Sequence, residues 1–142
     1  MSDVNSMSEF NQRIMAEFRA NNGVVGAPFA GVPMLILHSK GAKSGAIRQH
    51  PLAYQPRGGD TWAIFASKAG APTNPDWYHN LVANADATIE VGSETVPVTA
   101  RVLEGGERSE VWAAQKAASK AFANYEAATT RVIPVVLLSR RA

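Results

Sequence analysis

Extended apolar runs in this chain come in pairs, and very few residues separate the members of a pair. Residues 33–39 (PMLILHS) are followed, after the turn 41–45, by a second run at 47–54. The turn Arg57-Gly58-Gly59-Asp60 then leads into a third, 61–67 (TWAIFAS). Further on, 87–91 and 95–103 flank Gly92-Ser93. Connections this short join antiparallel neighbours, because a parallel neighbour needs a crossover of about a dozen residues or more. The spacing therefore excludes a doubly wound parallel sheet, which would alternate strand and helix throughout. Pro51 inside the second run points to an edge or a bulge.

The remaining segments read as helices, with one final strand. Met7, Phe10, Ile14 and Phe18, spaced three, four and four, form one helix face. Ser8 is the expected N-cap, Asn21-Asn22-Gly23 the stop, and residues 1–6 are expected to be unstructured. This extension over 1–22 either packs on the core or serves as an amphipathic lid or a weak membrane-surface contact. Its charges are mixed (Arg13 and Arg19 against Glu9 and Glu17), which weakens the membrane reading. Asn74-Pro75-Asp76 opens a second helix, with asparagine as cap, proline at the first helical position and an acid in the first turn. Gly105-Gly106 leads into a helix from about Glu107 to Ala118 that resumes through Ala128, and 132–139 (VIPVVLLS) is the last strand. The order predicts a mainly β, α+β fold: a split antiparallel β-barrel or strongly curved sheet with flanking helices, as one domain over 1–142.

Composition removes several functions. With no cysteine there is no disulfide, thiolate metal site or cysteine nucleophile, which fits a reducing cytosol. The net charge of +2 is too small to argue for nucleic acid, and the cations gather at one turn with no aromatic stripe between them. The longest apolar run, 132–138, is broken by Pro134, and no cationic start with an apolar core marks a secretory leader. A soluble, cytoplasmic protein is expected, with membrane association as the variant. His38, His50 and His79 lack metal-ligand spacing, so no metal is expected. Neither GxGxxG nor a Walker A pattern is present.

Two stretches carry chemistry. In the first, Lys40, Lys43 and Arg48 surround a turn in which Gly41 and Gly45 let a ligand approach the backbone and Ser44 adds a hydroxyl. Arg48 lies on the returning strand, where a guanidinium can present a bidentate fork, and His50, two positions on, shares its face. In the second, Ser67 and Lys68 end an apolar strand, and Ala69-Gly70-Ala71 keeps side chains small before the helix at Asn74. A phosphate or carboxylate ligand suits both; a solvated hairpin tip and a plain strand exit are the bland alternatives. Trp77 reads as core or as ligand contact, Asn80 as ligand contact or local cap. Tyr125, after an alanine-rich helix, offers a phenolic proton donor or a half-buried structural tyrosine.

The combined pattern has a relative. Gly41-x-Lys43-Ser44-Gly45-x-x-Arg48-x-x-Pro51-Leu52, Ala66-Ser67-Lys68-x-Gly70-Ala71, Asn74-Pro75-x-Trp77-Tyr78-x-Asn80-Leu81-x-Ala83-Asn84 and the closing Arg131-x-Ile133-Pro134-Val135 resemble the deazaflavin-dependent nitroreductase family of actinobacteria, over about residues 31–138. The resemblance implies a split barrel related to FMN-binding flavin reductases, and coenzyme F420, an 8-hydroxy-5-deazaflavin with a phosphate and a polyglutamate tail. It implies that Lys43, Ser44, Arg48 and Lys68 hold the phosphate and tail, that His50 and Pro51 line the cofactor, and that Phe65, Ala66 and Ser67 flank the ring with Trp77 and Asn80 beside it. Tyr125, with Ser67 or water, would deliver a proton. The implied activity is hydride transfer from reduced F420 to an activated alkene, enone, quinone or nitro compound, a small hydrophobic substrate. An FMN-dependent reductase and a non-enzymatic lipid-binding barrel are the alternatives, and a homodimer is compatible with the fold. Ala42, Ala46, His50, Ser119 and Phe122 depart from the family pattern, which favours a more apolar pocket over nitroimidazole reduction.

Overall fold

The structure is a computed structural model that describes residues 2–26 and 30–141, with side chains from residue 9 onward. Six strands, β1 Met34–Lys40, β2 Ile47–Pro56, β3 Thr61–Phe65, β4 Asp86–Val91, β5 Glu94–Val102 and β6 Val135–Arg140, close into a barrel in the order β1-β2-β3-β6-β5-β4. Every neighbouring pair is antiparallel, as the hairpin spacing requires. Among the described residues four α-helices flank it: α1 Ser2–Ala20, α2 Asp76–Ala83, α3 Gly105–Ala118 and α4 Lys120–Ala127.

The barrel is interrupted at one seam. β2 pairs with β3 only from Tyr54↔Ile64 to Pro56↔Trp62, whereas it pairs with β1 from Ile47 onward. Pro51, opposite Ile36, sits in this singly paired stretch, where a missing N–H interrupts no second ladder.

Side-chain alternation sorts the apolar residues into three layers. Leu35, Leu37, Ile64, Ile89, Val96, Val98, Val136 and Leu138 fill the interior, joined by Trp77 and Leu81 from α2. Met34 and Ile36 turn outward and meet Ile14, Met15 and Phe18 of α1. Ala63, Phe65 and Val135 turn outward beneath Val111 and Trp112 of α3. β1 is thus covered on both faces, which explains its unbroken apolar run. Burying Phe18 alone is worth roughly 1.5–3 kcal/mol, and Ile14 and Met15 add to it in holding α1 on the barrel.

Several boundaries differ from expectation. α1 begins at Ser2, not after Ser8: Asp3 favours a helix start, and residues 4–7 contain no glycine or proline to break it. The side chains of Met7 and Ser8 lie outside the described residues. β3 stops at Phe65, because Ser67 turns right-handed and Lys68 left-handed. α2 starts at Asp76 with Pro75 in the cap position, and Asn74 makes no cap because its carbonyl is engaged elsewhere. One boundary falls where expected: the third helix ends at Ala118, and an extended Ser119 (φ −143, ψ 112) sends α4 off as a separate element. β6 begins at Val135, since Pro134 has no N–H to give a ladder; its carbonyl accepts from the Ala66 N–H at 2.9 Å. Among the described residues no helix is long and apolar enough to cross a membrane.

Candidate functional site

The interior faces of β1 and β2 run on past the filled part of the barrel. On β1 that face continues Leu35, Leu37, Ser39; on β2 it reads Tyr54, Leu52, His50, Arg48 back toward the turn, with Ser39 opposite Arg48. At the open end Arg48 and His50 border a cleft of about 520 Å³. One wall is the turn 41–44 with Arg48 and His50, and the other is Asp76, His79 and Asn80 on α2.

The turn is fixed by its own hydrogen bonds. The Gly41 N–H donates to the Ala46 carbonyl (2.7 Å), the Gly45 N–H to the Gly41 carbonyl (3.0 Å) and the Ala46 N–H to Ser44 Oγ (3.1 Å). A Cβ on Gly41 would lie 2.7 Å from Ser44 Oγ, so a larger residue there would have to displace the hydroxyl that accepts from Ala46. Asn80 joins the two walls. Its Oδ1 accepts from the Ala42 N–H at 2.9 Å, and its Nδ2 donates to the buried Ser39 Oγ at 3.2 Å. Its amide therefore sets the width of the cleft.

The electrostatics favour an anion. Ion pairs among the described residues form elsewhere, and none involves Lys43 or Arg48. Asp76 is the counter-charge on the opposite wall. His50 is half-buried, and its buried Nδ1 has no hydrogen-bond partner. Burial pushes its pKa below the ordinary 6.5, Asp76 pulls it back up, and Arg48 pushes it down. A neutral imidazole beside two unpaired cations can meet an oxyanion or a polar ring.

The second stretch is a loop held from behind. Ser67 is right-handed (φ −75), and Lys68, Ala69 and Gly70 follow with φ of 46, 53 and 82. Left-handed non-glycine residues cost about 1 kcal/mol or more each, so something must hold them. Arg131 does. Its Nε donates to the Ala71 carbonyl (2.8 Å), Nη1 to the Ala66 carbonyl (3.0 Å) and Asn74 Oδ1 (2.7 Å), and Nη2 to the Ser67 carbonyl (2.8 Å). Lys68 is exposed, with Nζ donating to Thr73 Oγ1 at 3.2 Å. Gly70 packs on α4: a Cβ there would lie 2.8 Å from Ala128 Cβ and 2.9 Å from the Tyr125 carbonyl.

Of the residues singled out from sequence, Lys43, Ser44, Arg48, His50 and Asn80 share the cleft. The others do not line it. Pro51 lies on the opposite strand face, Ala66 and Trp77 are barrel core, and Ser67 and Lys68 belong to the neighbouring loop. Phe65 packs edge-on against Phe122 (5.4 Å), which in turn meets Tyr125 (5.3 Å), so Tyr125 stands in an aromatic cluster beyond Gly70. Sequence reasoning passed over Asp76, one turn before Asn80, and His79, its immediate neighbour, as cleft residues, and it gave Arg131 no role beyond its motif.

The family model described as F420H(2)-dependent quinone reductase matches residues 11–140 of this chain. An F420H(2)-dependent quinone reductase of Mycobacterium tuberculosis is 40% identical over 130 residues, covering 89% of this chain and 87% of that protein. A solved F420-H2 dependent reductase (FDR-A) superposes with a TM-score of 0.67 at 38% identity, covering 75% of this chain and 94% of that one. A second solved chain, described as a domain-swapped dimer, gives a TM-score of 0.69 at 34% identity, covering 96% of this chain and 99% of that one.

Proposed function

This chain belongs to the F420H(2)-dependent quinone reductase family, and from that premise we propose that it binds coenzyme F420 along the cleft and the adjoining loop and reduces a quinone. The observation that carries the reading is the donor set of the cleft. Two cations without ion-pair partners, Lys43 and Arg48, stand beside a buried imidazole nitrogen that has no partner. That set suits the phosphate and carboxylates of the F420 side chain, to which guanidinium and ammonium donate charge-assisted hydrogen bonds.

In this reading Lys43, Ser44 and Arg48 hold the anionic side chain, and Lys68 reaches it from the loop. Ser44 Oγ already accepts from Ala46, so its hydroxyl proton is the one available to a ligand. The small, exposed Ala69 lets a flat ring lie along the loop. Reduced F420, when bound, supplies a hydride. The protein orients it, excludes water and places a proton donor. The Tyr125 phenol is the candidate donor, and the Phe65–Phe122–Tyr125 cluster offers an apolar wall to a quinone ring. Enones, other activated alkenes and nitro compounds are secondary candidates. We extend to this chain the dimeric assembly of the relative described as a domain-swapped dimer; light scattering of the purified protein tests it.

The deciding experiment follows reoxidation of reduced F420 by a simple benzoquinone or naphthoquinone in the presence of the purified chain, with parallel titrations of oxidised F420 and FMN. Micromolar F420 binding with quinone-dependent turnover is expected. Absence of F420 binding, or binding of FMN instead, would overturn the proposal.

A further inference from the structure

We infer that Arg131 is a positioning residue of the cofactor site: it turns the backbone N–H groups of Ser67 and Lys68 outward as an anion cradle. The inference rests on the F420 reading above. Three of the four acceptors of its guanidinium are main-chain carbonyls, those of Ala66, Ser67 and Ala71. A trans peptide is planar, and its C=O and N–H point in opposite directions. Drawing the Ala66 carbonyl inward therefore swings the Ser67 N–H outward, and drawing the Ser67 carbonyl inward does the same to the Lys68 N–H. The right-handed Ser67 followed by the left-handed Lys68 is the backbone sequence that makes successive N–H groups converge on one anion.

Arg131 also brings charge. Its acceptors are carbonyl groups, and among the described residues no carboxylate forms an ion pair with it. Partial burial lowers its pKa, but an arginine side chain remains cationic. The positive field of the guanidinium thus stands directly behind the cradle and adds to that of Lys68 in front. A lysine could supply the charge but not the fork that reaches carbonyls on both sides of the turn. The carbonyl partners leave the charge available to a ligand.

The test compares wild type, Arg131→Lys and Arg131→Gln in two measurements. The first is amide exchange of the cofactor-free protein. Arg131→Gln should speed exchange over residues 66–74 about tenfold or more, with the barrel strands unchanged. The second is titration of oxidised F420, read by its fluorescence, at low and high salt. Arg131→Gln should weaken binding about tenfold and flatten its salt dependence. Arg131→Lys should keep the salt dependence while showing the loosened loop and an intermediate affinity. Unchanged loop exchange in Arg131→Gln would overturn the inference, and so would a loosened loop with affinity within about twofold of wild type. If wild type itself ignores F420 while Arg131→Gln loosens the loop, the cofactor reading fails and the control of the loop by Arg131 stands. Should Arg131→Gln not fold, Asn74→Ala removes one spoke of the same arrangement and is read by the same two measurements.

Discussion

Gly70 is the point where the loop of the second stretch meets α4, and Gly70→Ala tests that contact. The residue has φ +82, which costs alanine about 1–2 kcal/mol of backbone strain. The added Cβ would sit 2.8 Å from Ala128 Cβ, 2.9 Å from the Tyr125 carbonyl and 3.3 Å from Tyr125 Cα. Carbon atoms pack best at about 3.5–4.0 Å, so α4 must retreat by most of an ångström. Two of these neighbours are backbone and cannot rotate aside; such overpacking costs about 1–3 kcal/mol. The sum is about 2–5 kcal/mol. Gly58→Ala is the matched control: its φ is +85 and a Cβ would meet nothing within 4 Å, so only the strain remains. Urea unfolding followed by circular dichroism gives both values, and their difference isolates the packing component. A second readout is amide exchange over α4, which should rise in Gly70→Ala alone. If the two variants lose equal stability and α4 exchanges as in wild type, the helix does not rest on this turn, and Tyr125 is not held against the loop as argued.

Four further outcomes follow from the same geometry. Glu90 accepts from Arg19 Nη2 (2.6 Å) and sits 2.6 Å from His38 Nε2, which depresses its carboxyl from the ordinary 4.5 to about 2. The stability it contributes is therefore full above pH 4.5 and lost as pH falls toward 2, so Glu90→Gln should flatten that part of a denaturation-versus-pH curve. Asn80→Ala strips the Ala42 N–H and the buried Ser39 Oγ of their partner and should cost about 1–3 kcal/mol in urea unfolding, with weaker F420 binding as the turn loosens. Arg48→Ala and Lys68→Ala should each weaken F420 affinity by about 1.5–3 kcal/mol, measured by fluorescence titration; unchanged affinity in both would remove the side-chain site. His50 is held below its ordinary pKa of 6.5 by burial, and an anion bound beside it favours the imidazolium. F420 affinity should thus tighten as pH falls through that range, and His50→Asn should abolish the slope.

The fold was legible because its information is local. Hairpin spacing demands antiparallel neighbours, and period-two alternation assigns each strand two faces. What stayed hidden was decided at a distance. Asn74 has every local mark of a helix cap, yet its carbonyl accepts from Arg131, fifty-seven positions away, and the helix starts one residue later than the cap rule predicts. The break after Ala118, by contrast, was legible: an extended Ser119 separates α3 from α4, which packs on the turn at Gly70.

The site divides in the same way. Lys43, Ser44 and Arg48, which share the cleft, could be grouped from sequence because they surround a single hairpin turn. Trp77 and Asn80 lie a turn apart on one helix, and spacing alone cannot say which of them meets a ligand. The barrel decides: the α2 face carrying Trp77 and Leu81 fills the interior, and rotation by one residue brings Asn80 to the rim, where its amide closes the gap to Ala42. Arg131 is the more instructive omission. Its partners lie fifty-seven to sixty-five positions upstream, and three of them are carbonyls, which every residue type possesses. Contacts between an arginine and the main chain leave no mark at the partner positions, because no side chain there is chosen for them. The cations proposed to touch a ligand can therefore be picked out from sequence, while the cation proposed to shape the backbone for it is found only in three dimensions.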